Sequence, residues 1–402
     1  MSYNINKVAV LGAGVMGSGI AAHFAGAGIP VILMDIVPKE LTDKEKAKGL
    51  TLEDNAVRNR FAKAGKDKVL NPKARAIYDK DMGKLIEIGN FSDDLEKIKD
   101  CDLIIEVIVE NLEIKKKFMK EIAMYREEGT IVSSNTSGVS INAIVSDMTD
   151  EFKQHFMGTH FFNPPRYMKL FELIPCNETL PELVEFMAEF AEHRLGKGVV
   201  RAKDTPNFVA NRIGVQAMSS IMALGEKYNY SIPKMDLLTG NIIGRPKTGT
   251  FRLGDMVGID ILVHVAGNVL NNIDNEYERK ANYIPNYVKE LVKKGVLGDK
   301  TKGGFYKKIK SPTGTKRLVW DYKNKEYIDL EKEKVEAVSI AKKAGSLKKQ
   351  INAIVWGEQE ENKFVWEVLK STILYSAKNV PEIADDFKEI DKGMKWGFNW
   401  EL

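Results

Sequence analysis

Along the first half of the chain, short apolar runs alternate with longer segments whose apolar residues fall three or four apart. The runs at 7–11, 31–34, 85–88, 103–107, 130–134, 157–162 and 170–174 read as strands, because short, continuous apolar stretches suit strands buried on both faces. The segments 15–27 and 111–125 read as helices. In the second of these, Leu112, Ile114, Phe118, Ile122 and Tyr125 mark the apolar side. Strands alternating with helices predict βαβ units and a mostly parallel sheet. The stretch 39–84 breaks the rhythm: it is rich in Lys, Arg, Asp and Ala and too long for a βα connection. It predicts one or two helices projecting from the sheet domain.

Beyond Asp204-Thr205-Pro206 the pattern turns helical. A long apolar helix is expected from Phe208 to about residue 227, with Pro206 suited to its first turn. Further helices follow to about 294, and Gly303-Gly304-Phe305-Tyr306 reads as a closing turn. Two alternating runs around a Lys-Asn-Lys turn, within 316–327, predict a β-hairpin acting as a linker. The remainder is helical and reads as a partial repeat of the first helical domain. Phe364-Val365 opens a long helix as Phe208-Val209 does, and the Phe-to-Asp spacing is 28 to Asp236 and 27 to Asp391. Trp366, Leu369, Ile373 and Leu374 recur at helical spacing and are expected to form its buried stripe. The expected organisation is an α/β Rossmann-type dinucleotide-binding domain at 1–203, an all-α domain at 204–310, a hairpin linker at 311–329 and a partial second helical domain at 330–402.

Composition narrows the function classes. The chain of 402 residues is 44% hydrophobic and 29% charged, as a globular protein is. A net charge of +4 against 60 basic and 56 acidic residues gives no case for nucleic-acid binding. Two cysteines, Cys101 and Cys176, support neither a disulfide framework nor a zinc cluster, so a reducing compartment is expected. The most apolar stretch, 8–34, carries six glycines and Pro30 and reads as neither a membrane span nor a signal peptide. The expected location is cytoplasmic.

The first chemical signal is Gly12-Ala13-Gly14-Val15-Met16-Gly17, between a strand and a helix. The first glycine allows a tight turn, the second close approach of a pyrophosphate, and the third close helix–strand packing, with the phosphates at the helix N-terminus. Asp35, at the end of the next strand, suits the adenosine ribose hydroxyls. Its carboxylate repels a 2′-phosphate, which favours NAD over NADP, although Lys39 lies close enough to soften that preference.

The second signal is His160, which ends one strand, with Glu172 in the next. A short Pro-containing connection brings such side chains together, and a carboxylate beside an imidazole fixes its tautomer and stabilises the imidazolium. The other histidines, His23, His155, His193 and His264, read as satisfied structural residues. No histidine pair has metal-ligand spacing, so no metal site is expected.

The segments GAGVMG at 12–17, EVIVENLEIK at 106–115, SSNTSGVSI at 133–141, GTHFFNPPRYMKLFELI at 158–174, KDTPNFVANR at 203–212 and GDKTKGGFY at 298–306 together resemble the 3-hydroxyacyl-CoA dehydrogenase family of fatty-acid β-oxidation. The resemblance implies NAD-dependent, reversible oxidation of an (S)-3-hydroxyacyl-CoA to the 3-oxoacyl-CoA, with short-chain substrates such as 3-hydroxybutyryl-CoA as the default. It implies His160 as general base, Glu172 as its carboxylate partner, and Ser137 and Asn211 as substrate contacts. Glu110, Lys115, Asn163 and Lys300 match cofactor-side positions; for Lys115 and Lys300 a plain surface charge is an equal expectation. The 39–84 segment departs from the family, and Lys63 is the candidate there for gripping CoA.

The stretch 243–255 is similar to fused hydratase–dehydrogenases, in which the helical domain is duplicated. That implies a dehydrogenase portion lacking its enoyl-CoA hydratase, with assembly left open between a homodimer and contacts within one chain. Two competing readings remain, a β-hydroxyacid dehydrogenase acting on a free acid and a non-catalytic nucleotide-binding relative.

Overall fold

The computed structural model describes residues 3–311 and 314–401. Positions 1–2 of the expected dinucleotide domain, 312–313 of the expected hairpin linker and Leu402 lie outside them. The chain divides after Phe208 into two compact units.

The first unit is built on eight strands. These are β1 (Val8–Leu11), β2 (Val31–Asp35), β3 (Ile86–Asn90), β4 (Leu103–Glu106), β5 (Ile131–Ser134), β6 (Phe156–Phe161), β7 (Leu170–Pro175) and β8 (Gly198–Arg201). Their order is β3-β2-β1-β4-β5-β6-β7-β8. Neighbours from β3 across to β6 pair in parallel, β7 turns antiparallel to β6, and β8 runs parallel to β7. The strand order reverses between β1 and β4, where open α/β sheets bind ligands at the carboxyl ends of their strands. This is a Rossmann-type sheet. Strand β8 is four residues long and ends in an exposed arginine, which hides it from a reading based on apolar runs.

The helix Val15–Gly26 after β1 carries His23, buried, with Nε2 donating to the Leu195 carbonyl at 3.1 Å. Its Nδ1 is buried without a partner. Burial, reinforced by the nearby Lys197 charge, pushes its pKa down from 6.5 to about 4. The folded protein therefore keeps this ring neutral while the unfolded chain protonates it near 6.5. Stability from this group is complete above pH 6.5 and is lost as pH falls from 6.5 toward 4, by about 3 kcal/mol in total. Urea unfolding across that window should be less pH-dependent by that amount in His23→Gln. An unchanged slope would show that other groups carry the acid sensitivity.

The 39–84 segment forms short helices Asp43–Lys46 and Asn55–Arg58, then Arg60–Leu70. The last does not project, contrary to the expectation. It buries Ala62, Gly65 and Val69. A Cβ at Gly65 would lie 2.3 Å from Ser18 Oγ and 2.8 Å from the Ala13 carbonyl, so this helix lies directly on the start of Val15–Gly26. Lys63, Asp67 and Lys68 are exposed on its other side, which is why the composition suggested a solvated excursion, whereas the Lys66 ammonium donates to the Ile86 carbonyl of β3.

The second unit is helical, with one small antiparallel sheet, β11-β10-β9, of strands Tyr306–Ser311 (β9), Gly314–Asp321 (β10) and Glu326–Asp329 (β11). The expected hairpin is β10–β11, but β9 joins it, and Val319 and Trp320 are buried in this unit's core, so the segment is not a free linker. The first long helix is Ala210–Lys227, starting later than expected because Asn207 and Phe208 have φ of 65° and 52°, outside the helical region. It packs on Glu360–Lys378, where Arg212 Nε donates to Tyr375 Oη at 2.6 Å and Gln216 Nε2 to Ser371 Oγ at 3.0 Å.

The buried face of Glu360–Lys378 is Phe364, Val365, Val368, Thr372 and Tyr375. Trp366, Ile373 and Leu374 are exposed, so the expected stripe is corrected by about two-fifths of a turn. The suspected repeat also diverges at its aspartates. Asp236 accepts the Thr250, Phe251 and Arg252 amides and the Tyr306 hydroxyl, whereas Asp391 is exposed. Among the described residues no single helix is long and apolar enough to cross a membrane.

Candidate active site

Gly12 has φ 118°, and a Cβ there would lie 2.4 Å from the Val107 carbonyl oxygen, just past β4. A Cβ at Gly17 would sit 1.8 Å from the Gly12 carbonyl oxygen. Both glycines are thus demanded by the protein's own backbone. Gly14 differs: nothing lies within 4 Å of its Cβ position. It therefore leaves bare backbone on an open surface at the N-terminus of Val15–Gly26, where no side chain caps the first turn. Free amides and an absent side chain form a cradle suited to a pyrophosphate. Ala13 is buried at the turn, Met16 is half-buried and Val15 is exposed beside it. Asp35 closes the cradle, its two oxygens accepting the Ala13 amide at 2.6 Å and the Ile36 amide at 2.7 Å. These residues fit the adenosine and pyrophosphate of a dinucleotide.

Behind the ends of β4 and β5 lies a buried polar cluster. Glu106 ends β4 fully buried and accepts from Lys115 Nζ at 2.7 Å, the Ile108 amide at 2.7 Å and Ser134 Oγ at 2.6 Å. Lys115 reaches it from the second turn of helix Leu112–Tyr125, whose cap is the Asn111 side chain. Lys115 is 1% exposed. It is therefore not a surface charge, and its ammonium supports Glu106. Glu110 lies 3.4 Å from the same ammonium and accepts the Thr136 hydroxyl at 2.9 Å and the Ser137 amide at 2.5 Å. It thereby fixes the loop that presents half-buried Ser137.

His160 and Glu172 are direct cross-strand partners of the β6–β7 pair. His160 Nδ1 donates to Glu172 Oε2 at 2.6 Å, with the two residues 4% and 0% exposed. The carboxylate accepts the Nδ1–H bond and so keeps that proton on Nδ1, which leaves Nε2 as the nitrogen that can accept one. The rings of Phe162 and Phe208 flank the imidazole, at 4.7 and 5.7 Å between centroids. Asn135, just past β5, accepts the Phe161 amide through Oδ1 at 2.9 Å and ties the histidine strand to the Ser137 loop.

Asn163 is exposed on the β6–β7 connection, and Lys63 is an exposed residue paired with Asp67 at 3.1 Å. Asn211 is half-buried in the second unit, and Lys300, also there, pairs with Asp260 at 2.6 Å. Glu106, Asn135 and Asp204 were missed as site-building residues. Asp204 accepts Ser140 Oγ at 2.7 Å and the Ile141 amide at 2.8 Å. The signal available for Glu106 was a carboxylate closing a wholly apolar strand.

Comparison with known proteins bears on this geometry. The family model described as "3-hydroxyacyl-CoA dehydrogenase, NAD binding domain" matches residues 7–205, and that described as "3-hydroxyacyl-CoA dehydrogenase, C-terminal domain" matches 208–308. The chain is 46% identical over 402 residues to a probable 3-hydroxyacyl-CoA dehydrogenase of Bacillus subtilis, covering all of this chain and 50% of that protein. It is 42% identical over 316 residues to one of Deinococcus radiodurans, covering 78% of this chain and 86% of that protein. The crystal structure of 3-hydroxybutyryl-CoA dehydrogenase from Escherichia coli aligns at a TM-score of 0.72 and 22% identity, covering 99% of this chain and 89% of that one, which shows a shared fold. The chain spans half the length of the Bacillus relative.

Proposed function

From the chain's membership of the 3-hydroxyacyl-CoA dehydrogenase family, which is an NAD-binding family, we propose that it interconverts (S)-3-hydroxyacyl-CoA and 3-oxoacyl-CoA, with His160 as the general base. The observation that carries the assignment is the buried His160–Glu172 hydrogen bond of 2.6 Å across the β6–β7 pair. It leaves Nε2 to take the proton of the C3 hydroxyl, while the ionised Glu172 offsets the positive charge the ring then acquires. In the reverse direction the imidazolium returns that proton to the C3 oxygen. NAD, when bound, supplies the hydride acceptor. The Gly12–Gly17 turn and Asp35 are the residues that would hold its pyrophosphate and adenosine ribose.

Such a base contributes about 10²–10⁴-fold to the rate. Ser137, held by Glu110, and Asn211 are assigned to substrate, and Asn163 to the cofactor side. Lys63 is a weaker candidate for CoA, because its ammonium is paired with Asp67. Short acyl chains such as 3-hydroxybutyryl are the proposed substrates. Enoyl-CoA hydration by a further domain is also proposed; what supports it is the likeness to Rickettsia proteins named as putative fatty acid oxidation complex trifunctional enzymes, of whose length the chain covers 52%.

The test is NADH oxidation with acetoacetyl-CoA against free acetoacetate. The CoA ester should be reduced and the free acid not; turnover of free acetoacetate alone would transfer the enzyme to the hydroxyacid class. In the same assay NADPH should be poor. Asp35→Ser should weaken NADH on the order of 10–100-fold, the worth of hydrogen bonds to a charged group, and narrow the gap to NADPH. A wild-type enzyme using NADPH equally well would refute this role for Asp35.

A further inference from the structure

The His160–Glu172 pair depends on the relative placement of β6 and β7, and their connection does not fix it by turn chemistry. A two-residue hairpin turn sets strand register by itself. Here the residues from 162 to 169 intervene before β7 begins. Within it the Tyr167 and Met168 amides both donate to the Pro164 carbonyl at 3.0 Å, and further groups hold it from outside.

The group that holds it is Lys197. It directly precedes β8, whose Gly198 is the partner of Leu170 at the start of β7. The residue is 5% exposed. Its ammonium donates to the Pro165 carbonyl, and to the Met168 carbonyl at 2.9 Å. It also lies 5.6 Å from the ring centroid of Phe161, the residue next to His160. Neither acceptor carries a formal charge, and Lys197 forms no ion pair among the described residues. Burying an ammonium on such terms is costly, and a Met or Leu stem would fill the same space without that cost. Burial pushes its pKa down from 10.5 to about 8, which is the mark of that cost. Both acceptors lie on one connection, so what the charge secures is the conformation of that connection.

Arg166 pins the same connection from its outer side, donating to the Arg75 carbonyl at 2.5 Å and the Ile77 carbonyl at 3.0 Å and lying 3.9 Å over the Tyr78 ring. Arg166 is only half-buried, and its acceptors lie in the segment between helix Arg60–Leu70 and β3. Lys197 instead acts from within the layer of β7 and β8, next to the reacting pair.

We propose that Lys197 is a positioning residue for catalysis: it clamps the 162–169 connection from beneath and thereby holds His160 in line with Glu172 and with the reacting C3 hydroxyl. The proposal rests on the reading of His160 as the base. A displacement of about 1 Å at a reacting group costs on the order of 100-fold in rate.

The test uses the full chain with Lys197→Met and Lys197→Gln, assayed with acetoacetyl-CoA and NADH. Lys197→Met should lower kcat by about 10–100-fold, with KM changed by no more than about twofold and NADH affinity by fluorescence titration unchanged. Lys197→Gln, keeping one donor, should fall between it and wild type. In a His160→Gln background, Lys197→Met should cause no further loss, because a clamp acting through His160 has nothing left to position.

Wild-type kcat in either folded variant would overturn the proposal. So would an equal loss in both backgrounds, or a rise in KM with kcat unchanged. If Lys197→Met does not fold, Lys197→Gln in the two backgrounds decides on the same terms. Wild-type turnover by His160→Gln alone would overturn the assignment of the base, and with it this proposal; a crippled His160→Gln beside an unaffected Lys197→Met would overturn only the clamp.

Discussion

Replacing His160 with Gln should lower kcat for acetoacetyl-CoA by about 10²–10⁴-fold while leaving NADH affinity near that of wild type. Glutamine is close to the volume of the imidazole and can still hydrogen-bond Glu172, so the β6–β7 pair should keep its geometry. What it cannot do is take a proton at neutral pH and return it. The dinucleotide cradle is formed by Gly12, Gly14, Gly17 and Asp35 at the ends of β1 and β2, separate from this hairpin in the sheet order. Binding and proton transfer should therefore separate cleanly: fluorescence titration unchanged, turnover lost. Glu172→Gln should lose rate through the same step, because the carboxylate that fixes the Nδ1 tautomer is gone. The two losses together should be far from additive, as they are when residues act as a unit. Near-normal turnover of His160→Gln would remove the residue from the chemistry, however well placed it looks.

What the sequence made legible is what depends on neighbours along the chain. The glycine turn, the strand before it and Asp35 are local features; Gly12 and Gly17 meet backbone atoms at close range, and Gly14 leaves the open surface a pyrophosphate needs. His160 and Glu172 could be paired in advance because both fall on apolar runs joined by a single Pro-containing connection, and they came out as cross-strand partners. Contacts set by tertiary packing were not legible. Lys115 lies in a helix with Lys116 and Lys117 beside it, and nothing local distinguishes the one ammonium that turns inward. Glu360–Lys378 carries apolar residues around most of its circumference, so two stripes have helical spacing. The one actually buried includes Thr372 and Tyr375, whose hydroxyls find acceptors in Val368 and Glu278. Helix Arg60–Leu70 was taken to project because five of its eleven residues are charged. Its inward side needs only Ala62, Gly65 and Val69, since small residues allow close approach to Ser18 and Ala13.

Lys115→Met should destabilise the first unit by about 3–5 kcal/mol, the loss typical when one partner of a buried ion pair is removed. Glu106 is 0% exposed and Lys115 1% exposed, so water cannot replace the missing charge. Two donors would remain on the carboxylate, the Ile108 amide and Ser134 Oγ, but neither neutralises it. Glu106 would then protonate or draw water into the cluster, and either outcome loosens the ends of β4 and β5. A mutant that merely lost a surface charge would change by less than about 0.5 kcal/mol. The effect should be read by hydrogen exchange at the β4 and β5 amides, because all five tryptophans lie beyond residue 319 and report on the second unit. The double variant Glu106→Leu/Lys115→Met should recover most of the loss, since an apolar pair of similar volume leaves no buried charge. The pair also bears on activity. Lys115 lies 3.4 Å from Glu110, which holds Ser137, so the single mutant should raise KM for the acyl-CoA, and the double variant should restore stability without restoring KM. Full recovery of both would show that Glu110 holds the Ser137 loop without the ammonium. No loss of stability in Lys115→Met would refute the ion pair as a structural element.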